Sequence, residues 1–149
     1  MKTIQIRMFA ALCVMLTACF GVGFAQGKQS RGANTVDHKG SPAFAEIRLK
    51  QAELESELEA YLIEYTDEYP KVKELRATLG FLKRESERLA GANSVQRLTP
   101  ALGKLMVRKA ELETEVWRLS ETLQRAHPDV KRAKRRVEIF ESAIKEILG

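Results

Sequence analysis

"YTDEYPKVKEL" (65–75) and "LQRAHPDVKRA" (123–133) each set a Pro two residues ahead of a Val, between long charged segments. A Pro inside a helix removes a backbone hydrogen bond and clashes with the preceding turn, at about 3 kcal/mol, and it pushes the residue before it toward extended geometry. Pro70 and Pro128 therefore predict a helix stop and restart, with Tyr69 and His127 turning the chain. The 58-residue spacing of the two prolines organises everything around them.

Sliding the chain against itself at that offset aligns 41–91 on 99–149 without a gap. Eleven of the fifty-one pairs are identical, "SPAF" falls on "TPAL", "AELESEL" on "AELETEV", and Gly91 on Gly149. This reads as one unit present twice, with 92–98 as connector. Each unit opens on a capping hydroxyl followed by Pro, Ser41 with Pro42 and Thr99 with Pro100, and the missing N–H of Pro costs nothing at the first helical position. Gly91 and Gly149 close the units.

Within a unit the apolar residues form a seam on each side of the bend. Ile47, Leu54, Leu58, Tyr61 and Tyr65 precede the first bend in steps of seven, four, three and four; Val72, Leu75, Leu79, Leu82 and Leu89 follow it in steps of three, four, three and seven. The second unit repeats the pattern with Leu105, Leu112, Val116, Leu119 and Leu123, then Val130, Ala133, Val137, Phe140, Ile144 and Ile147. Heptad seams flanking a short break predict an antiparallel helical hairpin with helices of about 30 to 40 Å. Leu49, Leu62, Ile63, Phe81, Met106, Val107, Trp117, Ile139 and Leu148 lie off the seams. They predict that the hairpins pack on one another. The expected fold class is all-α: a duplicated, coiled-coil-like antiparallel hairpin forming a four-helix bundle after an N-terminal signal segment. Leu49, Ile63, Phe81, Met106, Trp117 and Ile139 are also the candidate surface for a protein partner or for self-association.

The first 25 residues read as a signal peptide. Lys2 and Arg7 precede a long uncharged stretch, and Gly23, Phe24 and Ala25 allow cleavage before Gln26. Leu16-Thr17-Ala18-Cys19 offers an alternative, a lipobox that would lipidate Cys19, and an uncleaved N-terminal anchor is a third reading. The expected location is secreted or periplasmic, with membrane attachment only through one of those alternatives. Cys13 and Cys19 both lie in this segment, so the mature protein is expected to lack a disulfide. Residues 26–40 read as a flexible polar leader, in which His38 is a solvated loop residue rather than a metal ligand.

The chain has 149 residues, 44% apolar and 30% charged, a globular or coiled-coil balance rather than a disordered one. Its net charge of +5 is uneven: 41–91 carries eight cations and eleven acids, 99–149 eleven cations and eight acids. Lys131, Arg132, Lys134, Arg135 and Arg136 form the sharpest basic run, a candidate patch for an anionic envelope polymer or lipid headgroups, or a solvated face beside the seam. Export and the lack of an aromatic platform argue against nucleic acid. No Gly-rich phosphate loop, His/Cys ligand set or nucleophile with a base is present, so no catalytic, cofactor-binding or metal-binding residue is assigned and an enzyme is not expected.

"YTDEYPKVKELRATLGFLKRE" and, less closely, "AHPDVKRAKRRVEIFES" resemble the Tyr-Thr-x-x-His-Pro-x-Val-x-x-Leu segment of the periplasmic coiled coil in chain-length-determinant proteins and polysaccharide-export tyrosine kinases. Tyr65, Thr66, Pro70, Val72 and Leu75 carry the likeness, then His127, Pro128 and Val130. The resemblance implies long envelope helices in oligomeric proteins that govern polysaccharide polymerisation or export. A second transmembrane helix, a mixed α/β base and a kinase domain are missing from the pattern. The functional expectation is an exported, non-enzymatic interaction or scaffold module at the bacterial cell envelope, linked to polysaccharide export by that resemblance alone. The alternative is a small basic periplasmic chaperone of the OmpH/Skp type, whose β-rich trimerisation base has no counterpart in an alternating strand pattern here.

Overall fold

A computed structural model describes residues 38–149. The signal peptide, Cys13, Cys19 and most of the leader lie outside the described residues. Four helices follow in order: α1 (Pro42–Glu64), α2 (Pro70–Ala90), α3 (Pro100–Thr122) and α4 (Pro128–Leu148), and no strand occurs among the described residues. Every α-helix begins on one of the four prolines, whereas the two short 3-10 turns, His38–Gly40 and Val95–Arg97, do not. None of the four is long and apolar enough to cross a membrane.

Both ends of each helix obey the 58-residue offset: Pro42 maps on Pro100, Glu64 on Thr122, Pro70 on Pro128 and Ala90 on Leu148. Ser41 and Thr99 accept from the backbone N–H of Phe44 and Leu102, each at 3.3 Å, and so cap α1 and α3. The bends match bond for bond. The N–H of Tyr65 donates to the carbonyl of Tyr61, that of Tyr69 to Thr66 and that of Lys73 to Tyr69; Leu123, His127 and Lys131 donate to Leu119, Gln124 and His127 in the same way. Tyr69 and His127 adopt nearly the same extended backbone, φ −61 and −58, ψ 131 and 138. That is the geometry forced on a residue preceding Pro.

Contacts along the helices give their directions. Across the two bends Glu57 meets Lys71 and Glu115 meets Arg136, and between α2 and α3 Thr78 meets Thr114 while Glu85 meets Lys109, so each of these pairs is antiparallel. Lys50 meets Glu111 and Ala43 lies against Gly103, so α1 and α3 run parallel. Both bends therefore stand at one end, with the connector at the base. There Leu98 is buried, its carbonyl accepts from the N–H of Ala43, and Arg97 donates to the Leu148 carbonyl at the end of α4.

α3 occupies the middle, packing on α1, α2 and α4. This changes one expectation. Met106, placed by its off-seam position in the candidate partner surface, is 0% exposed and belongs to the core with Ile47, Leu82, Leu89, Leu102 and Ile144. A helix with neighbours on three sides buries more than one seam, so an off-seam position on α3 is still interior.

At Gly103 the α3 backbone lies tight against α1. A Cβ built there would lie 2.7 Å from the Ala43 carbonyl oxygen and 2.9 Å from the Ala43 Cα, both backbone atoms that cannot swing away. Gly80, exposed on α2, would meet nothing within 4 Å. Gly103→Ala should destabilise the bundle by about 1 to 3 kcal/mol through overpacking. Gly80→Ala should stabilise it by about 0.5 to 1 kcal/mol through helix propensity. Urea unfolding followed by circular dichroism measures both, and equal shifts in one direction would contradict the close crossing.

Candidate functional site

The candidate residues fall into several separate places. The bends hold Tyr69 and His127 one residue before the prolines. Tyr69 stacks on Tyr65 with ring centroids 4.1 Å apart, and Tyr61 joins at about 6 Å, so the first bend carries three aromatic rings. His127 instead accepts from the N–H of Asp129 through Nδ1 at 3.2 Å and caps α4. Its ring chemistry is engaged in starting a helix.

The basic run lies on the exposed part of α4. Arg132 pairs with Asp129, Arg135 with Glu138 at 2.8 Å, and Arg136 donates to both carboxylate oxygens of Glu115 at 2.8 and 3.1 Å. The hydrogen bond and charge of Arg132 hold the Asp129 carboxyl below its usual pKa. Lys131 and Lys134 have no ion-pair partner among the described residues. Most of the positive charge is thus balanced within α3 and α4.

The off-seam residues do not form one patch. Phe81 and Trp117 come together with Val116 and Val137 in an open groove of about 370 Å³ between α2 and α4, floored by α3. Arg84 lies over the Phe81 ring at 4.5 Å. Leu49 and Ile63 sit apart on α1, 60% and 86% exposed, and Ile139 on α4 is 57% exposed.

Sequence periodicity missed a charged layer in the middle of the bundle. Lys109 of α3 reaches Glu85 of α2 at 2.5 Å, Glu113 at 3.1 Å and Glu141 of α4 at 3.3 Å, while Arg88 binds Glu141 at 2.9 Å. Glu85 and Lys109 are buried, and Oε2 of Glu85 has no hydrogen-bond partner. Burial works against the charge on Lys109, but the hydrogen bond and charge of Glu85, with Glu113, outweigh it and raise the Lys109 pKa. Burial likewise opposes the Glu141 charge, and Arg88, then Lys109, outweigh it and lower the Glu141 pKa. A signal for this layer exists. The seams step by seven from Ile47 to Leu54, from Leu82 to Leu89 and from Leu105 to Leu112. Gln51, Glu85 and Lys109 fill those gaps, and all three are buried.

No protein-family model, curated protein or solved structure matches the chain. What the site can do must therefore come from its own geometry. The layer ties three helices in one register; the exposed aliphatic residues and the groove are surfaces open to contact.

Lys109→Met leaves buried Glu85 without its hydrogen-bonded cation, with only Arg88 at 3.8 Å, and should cost about 3 to 5 kcal/mol, most of it recovered when Glu85→Leu is added. The pH dependence follows the two shifts. Glu141 contributes stability that is present above its ordinary value of 4.5 and lost as pH falls through its lowered folded value. Lys109 contributes stability that is present below 10.5 and lost as pH rises through its raised folded value. Stability should thus fall on acidification below about pH 4.5, less steeply in Glu141→Gln; identical acid limbs in thermal melts would contradict this.

Proposed function

We propose that this protein is an exported, non-enzymatic interaction module of the bacterial cell envelope. The single observation that carries the reading is the outer face of α1. α1, α2 and α3 pack on one another and α4 packs on α3, yet α1 keeps Leu49 and Ile63 on its outward side, joined by exposed Ala45, Ala52 and Ser56. A helix apolar on two faces, one of them already packed in the core, has the other available for another protein.

Other features support this reading. The signal-like N-terminus directs the chain out of the cytoplasm. The matched bends and helix bounds favour a duplicated hairpin, a form built for packing helix on helix. The internal pairing of the three arginines on α4 favours a protein contact over an anionic polymer. A neighbourhood in polysaccharide export rests on the resemblance of the two bend segments. The OmpH/Skp-type alternative draws no support from any described residue.

The test is photo-crosslinking of the full chain in cells, with the probe at residue 63 and, as control, at residue 96 in the connector. The expected result is an envelope fraction, a mature N-terminus at Gln26 and a discrete adduct from residue 63 alone. Cytosolic retention, or the same diffuse adducts from both positions, would sink the reading.

A further inference from the structure

The two hairpins offer a comparison inside one molecule. Gly103, Ala110 and Thr114 of α3 are buried where the second hairpin docks on the first. Their counterparts at the 58-residue offset are Ala45, Ala52 and Ser56 of α1, and all three are exposed. Val107, packed against the core, likewise has Leu49 as its exposed counterpart. The outer face of α1 is therefore the docking face of the first hairpin, without a hairpin to dock on.

We propose that a second copy of the protein supplies that hairpin: α1 of one copy packs on the second hairpin of the next, repeating between molecules the contact that α3 makes within one. This gives the interaction-module reading its partner and rests on that reading.

Charge carries the choice of occupant. Shifting each polar contact between the hairpins by the same offset gives the pairs that such stacking would create. Lys50 with Glu111 becomes Arg108 of one copy with Glu53 of the other, and Arg88 with Glu141 becomes Glu146 with Lys83; both new pairs are of opposite sign. Thr78 with Thr114 becomes Arg136 with Ser56, and Arg84 with Glu113 becomes Ser142 with Glu55, a donor and an acceptor each time. Glu85 with Lys109 becomes Ala143 with Gln51, which sets no charge in the interface. No transposed pair brings like charges together, and the eight polar residues that would meet at new hydrogen bonds or ion pairs are all exposed.

Two copies cannot satisfy this through α1 alone. Between 51 and 64, α1 carries five Glu and no cation, so α1 against α1 would oppose acid to acid. The hairpin charges, net negative in 41–91 and net positive in 99–149, favour first hairpin on second. Ala45 replaces the Gly103 of the internal contact, so copies stand slightly further apart at the base than α1 and α3 do. The contact joins two different faces and is heterologous, so it repeats into a row unless the rotation closes a ring.

Light scattering on the purified full chain tests this. At low salt the mass should rise with concentration beyond one chain, and return toward the monomer near about 1 M salt, where the screening length is about 3 Å. Glu53→Arg and Arg108→Glu should each weaken association about tenfold or more while leaving the helical circular dichroism intact. An equal mixture of the two variants should associate again, because each presents the charge the other needs. Glu87→Arg, a charge reversal on α2 outside the transposed pairs, should change nothing. A monomer at every concentration, or association indifferent to both variants, would overturn the proposal. In either event a discrete heterologous adduct from residue 63 in cells would still stand for the interaction module.

Discussion

At Pro70 and Pro128 a pyrrolidine ring stands where a continuing helix needs an N–H, and a chain rich in helix formers has to turn instead. The residue before each ring is held extended, the hydrogen bonds around each bend are the same, and each pair of helices returns antiparallel. The remaining two prolines sit one residue past Ser41 and Thr99, where they start helices rather than break them. Equal hairpins joined by a short connector then bring α1 and α3 side by side and parallel. That arrangement places three neighbours around α3, and it requires Gly103 at the crossing because an Ala43 carbonyl leaves no room for a Cβ.

The charged layer follows from the same arrangement. Heptad seams without polar interruption pack well at several offsets, since one apolar residue replaces another at little cost. A buried Lys109 fits only opposite Glu85, Glu113 and Glu141, so sliding α2 or α4 by a turn would strand at least one charge. The pair adds little to net stability, because desolvation offsets most of the attraction. Its contribution is to the register, and Oε2 of Glu85, which has no hydrogen bond and only Arg88 at 3.8 Å, marks the residual cost of that choice.

Helix number, bounds and caps were legible because each depends on local chemistry: a Pro, a hydroxyl before it, a Gly after the last turn. Tyr69 and His127 were correctly placed at the bends, although their side chains act differently, one in a stack and one as a cap. Periodicity reports which faces of a helix are apolar, and it is silent on how many helices surround it. Met106 was misplaced for that reason. Gly103 raised no signal, since a Gly within a helix reads as weak propensity until the neighbouring backbone is known. The gaps at Gln51, Glu85 and Lys109 were visible as steps of seven, but a missing seam residue looks the same whether it is solvated or buried in a network.

The two first helices make the sharpest contrast in the molecule. α1 and α3 have the same length, the same cap and the same bend beyond them, yet the stripe that α3 buries is left in water by α1. Freed from a partner, a helix face has no physical need of Ala45, Leu49, Ala52 and Ile63, and charged residues there would improve solubility. Small side chains let helices approach closely, and larger aliphatic ones at the same spacing supply buried area when they do. The outer face of α1 combines both, with Glu53, Glu55 and Glu59 beside it. A face with that composition is suited to a basic helical partner, and the chain's own second hairpin presents one.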